Sequence, residues 1–119
     1  MSVRTKQCVL VVDDDAGICE TMADILDGMN YDVKTASDGY KALDLVNIQE
    51  FNMTLMDVRM PGLNGLETLK MMRQVRPSMK VVMITAYSND EMLEELKRVG
   101  VEAILSKPLK FSELFKHMP

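Results

Sequence analysis

The sequence predicts an α/β fold, a doubly wound parallel sheet with helices on both faces. Apolar runs alternate with segments of helical periodicity five times along the chain. The clearest runs, such as Cys8 to Val12, are continuously apolar rather than alternating, as expected of strands buried on both faces. Strict alternation of strand and helix then implies right-handed crossovers, which lay the helices over the sheet.

Each element follows from local chemistry. Cys8 to Val12 is the first strand and stops abruptly at Asp13, Asp14 and Asp15. Ile18, Met22, Ile25, Leu26 and Met29 keep helical spacing, and Asp14 or Asp15 is placed to cap that helix by accepting its free N–H groups. Tyr31 to Ala36 is a shorter second strand, and Ser37-Asp38-Gly39 turns the chain into a helix through Ala42, Leu45 and Val46. Met53 to Met56 forms the third strand, ending at Asp57. The loop 59–65 carries Pro61, Gly62 and Gly65 as breakers. Leu66, Leu69 and Met72 continue as a helix that should stop near Arg76, because Pro77 follows. Lys80 to Thr85 is the fourth strand. Ser88, Asn89 or Asp90 can cap the next helix, through Met92, Leu93, Leu96 and Val99, and Gly100 is suited to end it. Val101 to Leu105 is the fifth strand, and Phe111, Leu114, Phe115 and Met118 hold helical spacing to the chain end.

Composition narrows the function. A chain of 119 residues with 47% hydrophobic and 27% charged residues fits one globular domain, 1–119. A domain of this size buries roughly two-thirds of its unfolded surface, so it needs no staple. The net charge is −4 and no basic stripe occurs, which argues against direct binding to nucleic acid. Cys8 and Cys19 form no CxxC pair and read as reduced thiols of a cytoplasmic protein. No apolar run is long enough to span a membrane. The 12 methionines are scattered through strands and helices and read as adaptable core filler.

In a doubly wound sheet, ligands bind beyond the carboxyl ends of the strands. Strand 1 ends in Asp13-Asp14, strand 3 in Asp57 and strand 4 in Thr85, and strand 5 runs on to Lys107. Three carboxylates gathered at one edge repel each other unless a hard cation joins them. Mg²⁺ takes oxygen ligands and keeps several waters, so one or two direct carboxylates suffice. A hydroxyl and an ammonium suit the oxygens of a phosphoryl group instead. Taken singly, each residue has an ordinary reading as a helix cap, turn residue or surface lysine. Their joint placement at four strand ends points to phosphate and metal chemistry.

These residues also carry a family resemblance. VLVVDDD at 9–15, MDVRMPGLNGLE at 56–67, MITAY at 83–87 and SKPL at 106–109 resemble the response-regulator receiver family of two-component signalling. The resemblance implies the flavodoxin-like strand order 2-1-3-4-5 with five flanking helices. It implies Asp57 as the phosphoacceptor, Asp14 as a direct Mg²⁺ ligand and Asp13 as one acting mainly through water. The backbone carbonyl of Arg59 is implied as a third protein ligand, Thr85 as the phosphoryl-binding hydroxyl, and Lys107 as the partner of Asp57 and then of the phosphate. A cis Lys107–Pro108 bond is expected. The implied donor is a histidine kinase or a histidine phosphotransfer domain, and the implied response is a repacking of the face made by helix 4, strand 5 and helix 5, through which a dimer could form.

Three positions depart from the family pattern. Ile104 stands where an aromatic residue is frequent. Lys110 stands where an Asp is common before the last helix, so that helix is expected to start later, at Ser112. The chain stops at Pro119, a few residues into that helix, which is expected to be truncated ahead of an output domain. Two other functions compete. A haloacid-dehalogenase-type phosphatase would use the same groups, but would carry a second Asp where Arg59 stands. A degenerate receiver, serving only to bind, would lack some of the five expected side chains, and all are present.

Overall fold

The structure, a computed structural model, describes residues 6–86 and 90–119. The side chain of Asp90 is outside the description, so the expected cap of the fourth helix at Ser88, Asn89 or Asp90 lies outside the described residues. Five strands alternate with five helices in chain order: β1 (Cys8–Val12), α1 (Ala16–Gly28), β2 (Asp32–Ala36), α2 (Gly39–Ile48), β3 (Met53–Asp57), α3 (Gly65–Val75), β4 (Lys80–Thr85), α4 (Asp90–Val99), β5 (Ala103–Ser106) and α5 (Phe111–Phe115). All strand pairs are parallel and the order is β2-β1-β3-β4-β5, as the resemblance implied.

The continuous apolar runs are explained by the period of two along a strand. In β1, Leu10 and Val12 enter one core cluster with Met56, Leu69, Met72, Met83 and Leu96. Val9 and Val11 enter the other, with Met22, Leu26, Val82, Leu105 and Leu114. One cluster lies under α2, α3 and α4, the other under α1 and α5. Met53, Met56, Met72 and Met83 are buried on these faces, in keeping with their reading as core filler.

The helix ends show which polar residues do the capping. Asp15, rather than Asp14, caps α1, accepting from Gly17 N at 2.9 Å and Ile18 N at 3.2 Å. Asp38 caps α2. Asn64 and Glu67 form a reciprocal capping box at α3. Gly100, at φ +104°, ends α4 as expected, its N–H donating to Leu96 O at 3.0 Å.

The last two elements differ from expectation. β5 starts at Ala103 rather than Val101, after the left-handed turn at Gly100. α5 starts at Phe111 rather than Ser112, although Lys110 makes no side-chain cap. Apolar packing substitutes for the cap: Leu114 is fully buried, and the Phe111 and Phe115 rings lie 5.9 Å apart. The helix also ends at Phe115 instead of continuing to Met118. Beyond it the backbone makes tighter bonds, His117 N to Leu114 O and Met118 N to Phe115 O. Tyr31 Oη donates to Pro119 O at 2.6 Å, holding the chain end against the start of β2.

Candidate functional site

The sheet register brings the strand ends level. Val12 pairs with Met56, Asp57 with Ile84, and Thr85 with Ser106. Asp13, Asp57, Thr85 and Lys107 therefore meet at one edge, as predicted from their positions in the sequence.

Asp13 follows the last residue of β1 and is only 6% exposed. Its backbone N–H donates to Ala36 O at 3.1 Å, and its carboxylate accepts from Asp15 N at 2.9 Å. Its carbonyl accepts the Cys19 thiol at 3.3 Å, so α1 helps hold this residue in place. The three consecutive acids thus divide: Asp13 is buried, Asp14 is exposed and Asp15 is the helix cap.

Asp57 closes a strand whose five residues are all buried, and is itself 6% exposed. Val58 N donates to Ile84 O at 3.0 Å, and Arg59 N to the Asp57 carboxylate at 3.1 Å. Behind Asp57 the start of α3 approaches so closely that a Cβ on Gly65 would lie 2.6 Å from Asp57 O and 2.8 Å from Val58 Cα. The loop preceding α3 therefore requires a glycine at 65 for contact, not merely as a breaker. Gly39 plays a similar part at α2, where a Cβ would lie 2.2 Å from Thr68 Oγ1. Sequence reasoning missed both roles, because neither glycine has a left-handed φ and the close approach at each is set by how its helix packs, not by its adjacent residues.

Thr85 is 5% exposed, and its carbonyl accepts from Lys107 N at 2.8 Å. That bond brings Lys107 back over the edge just before a cis Lys107–Pro108 peptide. Lys107 Nζ lies 2.9 Å from Asp57 Oδ2 and 3.7 Å from Asp13 Oδ2. Desolvation works against the charged ammonium, but its hydrogen bond with Asp57 and the attraction of both carboxylates outweigh this and raise its pKa.

Carboxylate oxygens of Asp13, Asp14 and Asp57 all lie within 4.8 Å of one another. Burial, above all, raises the Asp13 pKa, and the charges of Asp57 and Asp14 add to this, against the Asp15 N–H and Lys107. One lysine cannot balance three carboxylates, so a hard divalent cation suits this donor set. Asp14, the exposed member, is open to a hydrated ion.

Fold and edge together define an α/β module with an acidic, lysine-braced site beyond the carboxyl ends of its strands. The chain belongs to the response regulator receiver domain family, whose sequence profile matches residues 9–118. It is 40% identical over 106 residues to the transcriptional regulatory protein ZraR of Escherichia coli, covering 89% of this chain and 24% of that protein. It is 31% identical over 106 residues to the sporulation initiation phosphotransferase F of Bacillus subtilis, covering 89% of this chain and 86% of that protein. Among solved structures it resembles the chemotaxis protein CheY4 of Vibrio cholerae, with a TM-score of 0.87 and 29% identity over 96% of this chain and 100% of that one. Receiver domains are signalling phosphoacceptors of two-component systems, and this chain is one of them. No helix among the described residues is long and apolar enough to cross a membrane.

Proposed function

We propose that Asp57 accepts the phosphoryl group from a phosphohistidine, on a histidine kinase or a histidine phosphotransfer domain. The observation that carries this reading is the contact of Lys107 Nζ with Asp57 Oδ2 at 2.9 Å, beside the cluster of Asp13, Asp14 and Asp57. In the transfer, the donor's P–N bond breaks as a P–O bond forms to a carboxylate oxygen of Asp57. Asp14, Asp57 and the carbonyl of Arg59, with Asp13 acting mainly through water, would hold Mg²⁺, which would supply positive charge to the phosphoryl oxygens. Lys107 passes from the carboxylate to a phosphoryl oxygen, and the Thr85 hydroxyl binds another.

The protein is a signalling acceptor rather than a turnover enzyme, and at most hydrolyses its own acyl phosphate slowly. Residues 1–119 act as a single cytoplasmic receiver domain that makes no direct contact with nucleic acid. The α4-β5-α5 face is where an output domain or a second copy reads the phosphorylated state. Incubation with acetyl phosphate and Mg²⁺, followed by intact-mass measurement, tests the acceptor. Wild type gains one phosphoryl group and Asp57→Asn gains none. Equal labelling of both proteins refutes the assignment.

A further inference from the structure

Asp13 and Asp14 are joined by a peptide that belongs to neither β1 nor α1. The strand ends at Val12, and the helix begins at Ala16 with Asp15 as its cap. The regular bonds of a strand or a helix therefore do not fix this peptide, although the aim of both carboxylates depends on it. Its oxygen, Asp13 O, accepts the Cys19 thiol at 3.3 Å, and this thiol is its hydrogen-bond partner among the described residues. Cys19 is 7% exposed. Its sulfur also lies 4.0 Å from Ala36 O, the atom that takes the Asp13 N–H at 3.1 Å. The thiol thus fills the corner where β1, β2 and α1 meet.

A peptide unit is planar, so fixing its oxygen fixes the plane that carries the Cα atoms on both sides, here those of Asp13 and Asp14. The next peptide is held from the other direction, where Asp15 N donates to Asp13 Oδ1 at 2.9 Å. Asp14 is an exposed side chain between two anchored peptides, and Cys19 supplies one of the anchors. The backbone of α1 does not take over this task. Its free N–H groups at Gly17 and Ile18 are used by the Asp15 carboxylate, which leaves Asp13 O to the thiol. A thiol is a weak donor, but this one is buried, where a carbonyl left without a partner is costly.

We propose that Cys19 is a positioning residue for the Mg²⁺ site: its thiol clamps the Asp13–Asp14 peptide and holds the two carboxylates at the spacing that a hydrated cation needs. The proposal rests on the metal reading given above and deepens it. Cys19 acts through the backbone of Asp13 and is not itself a ligand. Without the clamp, the acids repel one another and the peptide can turn, so a cation must first reassemble them.

Calorimetric titration with Mg²⁺ tests it on the whole chain, as wild type, Cys19→Ala and Cys19→Ser. Ala removes the donor and weakens Mg²⁺ binding by about two- to tenfold, as loss of one hydrogen bond implies. Ser restores a donor and stays within about twofold of wild type. This order does not follow stability: in urea with EDTA, Ser is no more stable than Ala, because a buried hydroxyl costs more than a methyl. An affinity order that merely follows the stability order overturns the proposal, as does an unchanged affinity in Cys19→Ala. The infrared S–H stretch needs no change at position 19. In Cys8→Ser, the Cys19 band lies below the frequency of an unbonded thiol, and a band at that frequency overturns the proposal too. Asp13→Ala and Asp14→Ala separate the two readings. If both bind Mg²⁺ as tightly as wild type, the metal reading is at fault and the proposal falls with it. If they bind it weakly and Cys19→Ala does not, the proposal alone fails.

Discussion

Replacing Gly65 by Ala introduces one methyl group at the tightest contact behind the site. That carbon would lie 2.6 Å from Asp57 O, 2.7 Å from Met83 Cε and 2.8 Å from Val58 Cα. Non-bonded carbons normally approach to about 3.5–4.0 Å, so a shift of about 1 Å is needed. The Met83 methyl can swing away, but the other two atoms are backbone. α3 cannot easily retreat, since Leu69 and Met72 are fully buried and Asn64 with Glu67 fixes its first turn. The displacement therefore falls on the segment Asp57 to Arg59. Overpacking of this kind costs about 1–3 kcal/mol, and the melting temperature falls by roughly 4–12 °C. Gly28→Ala is the control, because nothing lies within 4 Å of its Cβ position in the last turn of α1. There Ala should stabilise by up to about 1 kcal/mol. Urea unfolding followed by circular dichroism measures both variants, and labelling by acetyl phosphate measures the effect on Asp57. If Gly65→Ala lies within about 0.5 kcal/mol of wild type and labels at the same rate, the close-contact reasoning is wrong.

Three further outcomes follow from the same geometry. Without divalent cations, Asp13→Asn should be more stable than wild type by about 1 kcal/mol, since it removes one of three crowded carboxylates. Because the folded Asp13 pKa is raised, wild type gains stability as pH falls through that pKa and Asp13→Asn does not; urea titrations at several pH values in EDTA check the sign. Lys107→Met leaves Asp13 and Asp57 without their cation and should destabilise by about 1–3 kcal/mol, an effect partly reversed by Mg²⁺ in thermal melts. Ile104 is half-buried against the core and has no hydroxyl to exchange partners, so beryllofluoride should shift α4 with little rotamer change at Ile104 in paired structures.

Much of this was legible in the chain because strands buried on both faces must be apolar throughout, and because a site beyond strand ends leaves its residues just after apolar runs. Asp57 and Thr85 are marked in that way. The division of labour among Asp13, Asp14 and Asp15 was not legible, since three adjacent carboxylates are chemically alike until the backbone aims them. The strand order came from resemblance, not from periodicity, because the pattern is the same for any arrangement of βαβ units. The contact of Cys19 was invisible for another reason. Its partner is the carbonyl of Asp13, and a carbonyl leaves no mark in a sequence. The start of α5 was misjudged because the unfavourable charge at Lys110 was weighed, while the packing of Phe111 and Leu114 decided the matter.

Asp57, and not its acidic neighbours, is proposed to carry the phosphoryl group. The direct measurement is to label the protein with acetyl phosphate and Mg²⁺, reduce the acyl phosphate with borohydride, and locate the resulting homoserine by tandem mass spectrometry. Conversion is expected at position 57 alone, and none when EDTA replaces Mg²⁺. Conversion at Asp13 or Asp14, or at position 57 regardless of the cation, would contradict it.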